Sequence, residues 1–261
     1  MQIKECIVKT SNAPLYFEPT FKSEMVSQAL IWEYLNIVDY HEDWYEIVQW
    51  DKYKSWIHKS YVIQNNLEKN IKNKYEWCFL KEFIYRDNIL LSFGSYLPVF
   101  SKNKNNSIDL LLPNQNQIIV DRNKLIFNND SLSRVGLVSL AKSLLGTPYL
   151  WGGKSSFGYD CSGFIQSIFR LKGILLPRDC SEQVKSNAIK KKTTNDIILC
   201  DLIYFKENYN FTHVGMFINN EEFIHASGQV KISSIVKNNK NFCENLSSLD
   251  FNIFEINNEY R

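Results

Sequence analysis

A cysteine at the start of a predicted helix is the side chain in this sequence best suited to chemistry. Cys161 follows a glycine-containing loop and begins a segment in which apolar residues recur at helical spacing. The unpaired N–H groups and the dipole of a helix N-terminus stabilise negative charge. They lower a thiol pKa from about 8.5 toward neutrality, and the thiolate is the nucleophilic form. The same N–H groups can donate to the oxyanion of an acyl-transfer intermediate. Cys161 is therefore predicted to be a nucleophile, whereas Cys6, Cys78 and Cys243 are interpreted as inert thiols.

A thiolate of this kind needs an imidazole as its base. His213 and His225 follow Cys161 on consecutive predicted strands, whereas His41 and His58 lie among the aromatic residues of the front half and are interpreted as structural or surface residues. Side chains alternate along a strand, so the first two histidines share a face only if their strands pair with an even index sum. A two-residue turn at 219–220 gives opposite faces, and a three-residue connection at 219–221 gives one face. The residues leave both possibilities open.

The elements that must position these side chains differ between the two halves of the chain. Up to residue 127, short apolar runs such as 29–38, 44–50 and 55–62 alternate with polar clusters, which is typical of small β domains. The polar stretch 65–74 is a candidate linker. We therefore predict one β domain over residues 1–64 and a second over 75–127.

The chain after residue 131 has a different pattern. Apolar residues at helical spacing predict a helix from Ser133 to a stop at Gly146 and another that begins near Cys161. Strand-like runs follow at 198–205, 213–218 and 222–226. Helices followed by an antiparallel sheet predict an α+β domain over residues 131–261.

Composition excludes several classes of function. Thirty basic and twenty-eight acidic residues leave a net charge of +2, which gives no electrostatic reason to expect nucleic acid as a partner. The six cysteines include no C-x-x-C pair, so neither a zinc site nor a disulfide framework is expected, and no metal or cofactor is predicted. No window approaches the ~18 apolar residues of a membrane span. A charged N-terminus without an apolar core favours a cytoplasmic location, and the alternative is an exported protein whose signal has been removed.

Several motifs, in order and spacing, resemble the NlpC-type family of cell-wall cysteine endopeptidases. They are Pro148-Tyr-Leu-Trp-Gly-Gly153, Asp160-Cys-Ser-Gly-Phe164, Leu176-Pro-Arg178 with Gln183, Asp201-Leu-Ile-Tyr-Phe205, His213-Val-Gly215 and Phe223-Ile-His-Ala-Ser227. The resemblance covers roughly residues 133–230. It implies a papain-like fold and hydrolysis of the bond between γ-D-glutamate and a diamino acid in murein peptides.

The resemblance also implies roles for single residues. Cys161 corresponds to the nucleophile, His213 to the general base and His225 to the group that orients His213. Tyr149 would line the oxyanion site. Substrate contacts are predicted for a further set of residues, of which the first two would hold the amino end of the substrate: Asp160, Trp151, Ser162 and Cys180.

Some of these residues have an alternative interpretation or depart from the family's pattern. Asp160 can instead cap the helix through its carboxylate, or do both. Tyr149 and Trp151 can instead be packing residues. Cys180 stands where the family usually has serine, and Cys200 stands where glycine usually precedes Asp-Leu. The small Ser162 leaves room for a substrate to approach the thiol.

The front half resembles bacterial SH3-like domains, and this layout is similar to members of the family that recycle short free peptides with an N-terminal L-Ala. Glu33 would correspond to the acidic residue that reads the free amine, although it is more often a solvated strand residue. Two other functions stay open. One is a secreted autolysin or effector that attacks assembled peptidoglycan, and the other is a non-catalytic protein that binds peptide or wall.

Overall fold

The computed structural model describes residues 5–64, 71–128, 130–193 and 196–257. Contacts within the chain divide it into two compact units, Met1–Asp130 and Ser131–Arg261. Most of the candidate linker, residues 65–70, lies outside the described residues, and its remainder forms one helical turn, α1 (Ile71–Lys74). In the described part of the chain, no helix is both long and apolar enough to cross a bilayer.

The first unit begins with an antiparallel sheet of short strands. Their inward residues, among them Leu15, Ile47 and Ile57, form a common core, which is why alternating apolar residues fold here as strands. Spatial neighbours follow the order β3-β2-β6-β5-β4-β1-β7. The strands are β1 (Glu5–Val8), β2 (Asn12–Tyr16), β3 (Met25–Leu30), β4 (Tyr34–His41), β5 (Trp44–Val48), β6 (Lys54–His58) and β7 (Val62–Gln64).

The apolar run 29–38 contributes to two strands rather than one. The chain turns at Trp32, which adopts a left-handed φ of 67°, and the turn separates β3 from β4. A bulky residue in this conformation is uncommon, so sequence propensity gives no signal for the break. Glu33 lies in the same turn and is buried, which corrects its interpretation as a solvated strand residue.

A second antiparallel sheet follows in the first unit, in the order β13-β12-β11-β8-β14, beside a separate hairpin. Its core is continuous with part of the first sheet, because Ile31 and Trp32 pack among its buried residues. The Trp32 indole also donates a 2.7 Å hydrogen bond to the carbonyl of Leu111. The hairpin consists of β9 (Ile84–Arg86) and β10 (Ile89–Leu91). The strands of the sheet are β8 (Trp77–Leu80), β11 (Tyr96–Lys102), β12 (Ser107–Leu111), β13 (Gln117–Asp121) and β14 (Leu125–Phe127).

The second unit combines helices with a sheet in the order β17-β22-β18-β19-β20-β21, an α+β arrangement. Helix α3 packs against β19 and β20, the strands that carry the two histidines. The elements are α2 (Arg134–Lys142), β15 (Lys154–Ser155), β16 (Gly158–Tyr159), α3 (Cys161–Arg170), α4 (Cys180–Gln183), β17 (Ile189–Lys191), β18 (Leu202–Glu207), β19 (Asn210–Phe217), β20 (Glu222–Ser227), β21 (Gln229–Ser234), α5 (Glu244–Ser247) and β22 (Asp250–Ile256).

The helix predicted from Ser133 is shorter than expected. Ser133 caps it by accepting a hydrogen bond from the Gly136 N–H, but the helix ends at Lys142 rather than just before Gly146. Leu145 is consequently 45% exposed. Helix α3 begins at Cys161, where the sequence places it.

Another expectation about the second unit was wrong. The run predicted as a strand from residue 198 becomes a strand only at Leu202, because Cys200 adopts a left-handed φ of 67°. Glycine adopts this conformation without penalty, so a glycine is the usual residue for such a position. The basic run 190–192 is partly strand β17, and the Lys192 ammonium lies 2.7 Å from the buried Asp201 carboxylate.

Gly163 in the first turn of α3 lies against the loop before the helix, where a Cβ would overlap the Gly153 carbonyl oxygen. That carbonyl also accepts a 3.0 Å hydrogen bond from the Asp160 N–H, so neither side can move freely. We expect Gly163→Ala to lower the free energy of unfolding by about 3 kcal/mol, a cost typical of overpacking. Denaturant unfolding followed by circular dichroism measures it.

Gly136→Ala in α2 is the matched control. A Cβ there meets the end of the flexible Leu132 side chain at 3.0 Å. Alanine gains helix propensity over glycine, so this variant should stay within about 1 kcal/mol of the wild type. Equal stabilities for the two variants would show that the contact between Gly163 and the loop is unimportant.

Candidate active site

The first turn of α3 is held by the carboxylate of Asp160. Its Oδ1 accepts a 2.7 Å hydrogen bond from the Gly163 N–H and a 3.2 Å hydrogen bond from the Ser162 hydroxyl. The side chain is 7% exposed and sits directly before Cys161. The capping role proposed for Asp160 is therefore present in the structure, and its predicted contact with substrate stays a prediction.

Arg178 completes this arrangement and was not among the predicted site residues. Its guanidinium pairs with both carboxylate oxygens of Asp160 and donates a 3.0 Å hydrogen bond to the Ser162 hydroxyl. Arg178 is 2% exposed, so a buried anion and a buried cation neutralise each other beside the thiol. Gln183 anchors the other side by donating to the Ser162 carbonyl at 3.2 Å. The Pro-Arg sequence before α4 was the feature from which a role for Arg178 could have been predicted.

The two histidines lie on one face of the sheet. Strands β19 and β20 pair Met216 with Ile224 and Phe217 with Phe223, which is an even index sum. The connection is the three-residue one, residues 219–221, because the Ile218 N–H bonds the Glu222 carbonyl. The Nε2 atom of His213 and the Nδ1 atom of His225 are 2.6 Å apart. Of the two possibilities that the sequence left open, the structure has the one that brings the imidazoles together.

Ser233 on β21 extends the line of hydrogen-bonded side chains that runs from His213 to His225, and the sequence prediction missed it. Its hydroxyl is 2.9 Å from the Nε2 atom of His225, and both side chains are buried. Burial, followed by the charges of His213 and Lys231, holds the pKa of His225 well below its ordinary range, so this ring is neutral and carries one N–H. Gly228, which adopts a φ of 72° in the turn between β20 and β21, was the residue from which strand β21 could have been predicted.

The tautomers of the two histidines follow if His213 is the base. His213 can take a proton from Cys161 only at Nδ1, because its Nε2 faces His225. Nε2 must then carry a hydrogen and donate to Nδ1 of His225. His225 consequently carries its own hydrogen on Nε2 and donates it to the Ser233 hydroxyl. The Ser233 hydroxyl can accept this hydrogen bond, so its position is compatible with the tautomer in which His213 acts as a base.

The neighbours of Cys161 act on the ionisation of its thiol in both directions. Its Sγ lies 3.8 Å from the Sγ of Cys180 and 3.8 Å from the Thr212 carbonyl oxygen. Hydrogen bonding from Cys180 holds the pKa of Cys161 well below its ordinary value, and a hydrogen bond and the charge of His213 lower it further. Burial and the charge of Asp160 act in the opposite direction but do not outweigh them. These neighbours together favour the thiolate form of Cys161 over that of an ordinary thiol.

The predicted aromatic residues occupy different environments. Burial, followed by the negative charges of Cys161 and Asp160, raises the pKa of Tyr149 to about 12, so its hydroxyl keeps its proton and can donate to an oxyanion. Trp151 is 62% exposed in the loop between α2 and β15, and its role with substrate stays a prediction. Glu33 belongs to the first unit, where its carboxylate accepts a 3.0 Å hydrogen bond from Gln49, and its role with substrate stays a prediction.

A model of the NlpC/P60 family matches residues 146–246, which include Cys161, both histidines, Ser233 and Cys180. Residues 146–246 are an NlpC/P60 domain. This is a family of cysteine peptidases, and the arrangement of thiol and imidazoles agrees with that chemistry.

Relatives extend the similarity beyond this domain. The chain is 29% identical over 183 residues to a γ-D-glutamyl-L-lysine dipeptidyl-peptidase of Bacillus subtilis, covering 67% of this chain and 60% of that protein. It is 26% identical over 231 residues to the Bacillus cereus protein of the same name, covering 79% and 68%. A crystal structure of an NlpC/P60 family protein from Bacillus cereus superposes with a TM-score of 0.80 at 21% identity, over 95% of this chain and 98% of that one. The predicted papain-like fold is confirmed.

Replacing Ser233 tests the tautomer argument. In Ser233→Ala the Nε2–H of His225 loses its acceptor, so His225 can shift its hydrogen to Nδ1 and oppose the hydrogen on His213. A neutral hydrogen bond contributes about 0.5–1.5 kcal/mol, so we expect the thiolate to be less stable and the midpoint of the iodoacetamide alkylation rate against pH to move upward by roughly half a unit or more. The alkylation of Cys161 is followed by mass spectrometry.

Ser233→Thr, which keeps the hydroxyl, is the matched control and should restore the wild-type midpoint. A purely structural role for Ser233 would lower stability while leaving the midpoint in place. An unchanged midpoint in a folded Ser233→Ala protein would contradict the tautomer argument.

Proposed function

We propose that this protein is a cysteine peptidase that hydrolyses the γ-D-glutamyl–diamino acid bond of murein peptides. The observation that carries the proposal is the hydrogen-bonded series from Cys161 through His213 and His225 to Ser233. Such a series supplies a thiolate, a base, and a neutral group that holds the base in the reactive tautomer.

In the first step the thiolate of Cys161 attacks the carbonyl carbon of the scissile amide. His213, which holds the proton from the thiol, donates it to the departing amine. Negative charge develops on the carbonyl oxygen, and the N–H groups at the start of α3 together with the Tyr149 hydroxyl are its donors. An acyl-enzyme on Cys161 results.

In the second step water replaces the amine. His213 removes a proton from the water, the hydroxide attacks the acyl carbon, and the thiolate leaves. The neutral His225 accepts a hydrogen bond from His213 throughout, so the imidazolium formed in each half of the reaction is stabilised without a second charge in the site.

The choice of substrate is supported by the names of the two Bacillus relatives, both γ-D-glutamyl-L-lysine dipeptidyl-peptidases. We extend this to short free peptides that begin with L-Ala, and to a cytoplasmic location, where such peptides are recycled. We assign contact with the amino end of the peptide to the exposed Trp151 and to Asp160, which directly precedes Cys161 and whose carboxylate pairs with Arg178.

His213→Ala removes the base while leaving the sheet intact, since the side chain is only half-buried. Positioned proton transfer contributes about 10²–10⁴-fold to rate, so turnover of L-Ala-γ-D-Glu-L-Lys should fall by at least about a hundredfold. Release of the dipeptide L-Ala-γ-D-Glu is measured by chromatography with mass detection. His41→Ala in the first unit is the matched control and should keep wild-type turnover. Wild-type turnover in His213→Ala would refute the assignment of the base.

A comparison of two substrates tests the preference for free peptides. The protein is incubated separately with the soluble tripeptide and with intact sacculi, and soluble products are quantified in both. We expect turnover of the tripeptide and little release from sacculi. Turnover of sacculi alone would favour the secreted, wall-degrading function. Binding to either substrate without any turnover would favour the non-catalytic function.

A further inference from the structure

Two buried thiols meet at the centre of the candidate active site. The Sγ atoms of Cys161 and Cys180 are 3.8 Å apart, close to van der Waals contact, and the two residues are 7% and 6% exposed. Cys161 begins α3 and Cys180 begins α4, so each thiol projects from the first residue of a helix. Both are free cysteines. The nucleophile has a thiol neighbour that hydrogen-bonds it but takes no covalent part in the peptidase chemistry above.

We propose that Cys161 and Cys180 form a peroxide-reactive thiol pair, in which a reversible disulfide between them switches the peptidase off. The proposal rests on the thiolate nucleophile of the proposed function. The acting oxidant belongs to the class of hydroperoxides, which are small enough to reach a thiol that is itself placed to meet a peptide.

The two thiols differ in pKa, as a peroxide-reactive thiol and its neighbour must. One hydrogen bond, donated by Cys180 to Cys161, keeps the pKa of Cys161 low and raises the pKa of Cys180, and burial raises that of Cys180 further. At neutral pH Cys161 is the reactive thiolate and Cys180 is a protonated thiol held beside it. A thiolate reacts with peroxides, whereas a thiol does so slowly.

The other buried thiols are unsuited to this reaction. Burial raises the pKa of Cys6, Cys78 and Cys200 to about 12, so they stay protonated at neutral pH. Cys243 is half-buried in the second unit, before α5. Among the cysteines, the thiolate and its close thiol neighbour are found together at Cys161 and Cys180. Oxidation is therefore expected to select this pair.

The chemistry balances in two steps. The Cys161 thiolate attacks one peroxide oxygen, the O–O bond breaks, and the other oxygen leaves as an alcohol or water after taking a proton, so Cys161 becomes a sulfenic acid. The Cys180 sulfur then attacks the Cys161 sulfur, the S–O bond breaks, and the hydroxide leaves as water with the Cys180 proton. The hydroperoxide gains two electrons, and the two thiols lose two.

The required movement is small. A disulfide has an S–S length of about 2.0 Å, so the sulfur atoms must approach by roughly 1.8 Å from their 3.8 Å separation. Rotation about the Cα–Cβ bonds and a shift of the one-turn helix α4 can supply this movement. A thiol at position 180 also protects the nucleophile, because disulfide formation competes with further oxidation to the irreversible sulfinic acid. A serine at this position cannot do so.

The test uses the reduced full-length protein, treated with hydrogen peroxide and then alkylated in denaturant. Trypsin separates the two cysteines into peptides 155–170 and 179–185. We expect a linked pair of these peptides, with a mass two hydrogens below their sum, and at least about a tenfold loss of tripeptide turnover that dithiothreitol largely restores, because a dithiol reduces disulfides. Each variant is normalised to its own activity before peroxide.

Cys180→Ser should lose activity with peroxide and not regain it with dithiothreitol, because its Cys161 proceeds to sulfinic acid. Cys243→Ser is the matched control and should behave as the wild type. Equal recovery of activity with dithiothreitol in Cys180→Ser and wild type would overturn the proposed disulfide. Inactivation of the wild type without the linked peptides would overturn it as well.

The outcomes for the two proposals are distinct. A reduced protein that hydrolyses the tripeptide but forms no linked peptides would refute the thiol pair and support the peptidase. A reduced protein that forms the linked peptides but hydrolyses no murein peptide would refute the peptidase and support the thiol pair.

Discussion

The hydrogen bond between His213 and His225 exists because two strands pair in one particular register. Strands β19 and β20 have an even index sum, so the two imidazoles project from the same face, two residues apart along the hairpin. Inserting or deleting one residue in the connection 219–221 would turn one imidazole away. Continuing this register places Gly215 opposite His225, and a Cβ at Gly215 would press on Phe223 and His225. Glycine at that position leaves the His225 ring room to meet His213.

Charge in the site is confined to few groups. The buried Asp160 is neutralised by Arg178, and His225 is neutral because burial opposes its protonation. The proton that moves is therefore shared by Cys161 and His213, and Arg178 offsets the charge of Asp160 that opposes the thiolate. This explains why the third group is an imidazole surrounded by protein: it accepts a hydrogen bond without adding a charge that would need its own partner.

The sequence predicted most of the local elements around the thiol. Glycines and an N-cap residue placed the start of α3 at Cys161, since capping and helical periodicity act over a few neighbouring residues. The histidine register was narrowed to two possibilities, because turn length depends on backbone conformations that asparagine and glutamate tolerate in several ways. Ser233 and Arg178 could not be assigned in this way. Their roles depend on which strand or loop lies next to the site, and this is a tertiary property.

The breaks in the predicted strands have a related cause. Trp32 and Cys200 both adopt left-handed conformations that their side chains disfavour, so tertiary packing must impose the turn. For Trp32 the packing is visible: the indole reaches the second sheet and bonds to the Leu111 carbonyl, within a core that both sheets share.

The shared core has a consequence for how the front half can change during evolution. A module that buries its own core can be duplicated, lost or transplanted as a segment of chain. The first sheet cannot be separated in this way, because a chain that ended at residue 64 would leave Trp32 and Ile31 facing water and the Trp32 turn unsupported. The two sheets must therefore be inherited together, and recombination within residues 65–74 would damage both.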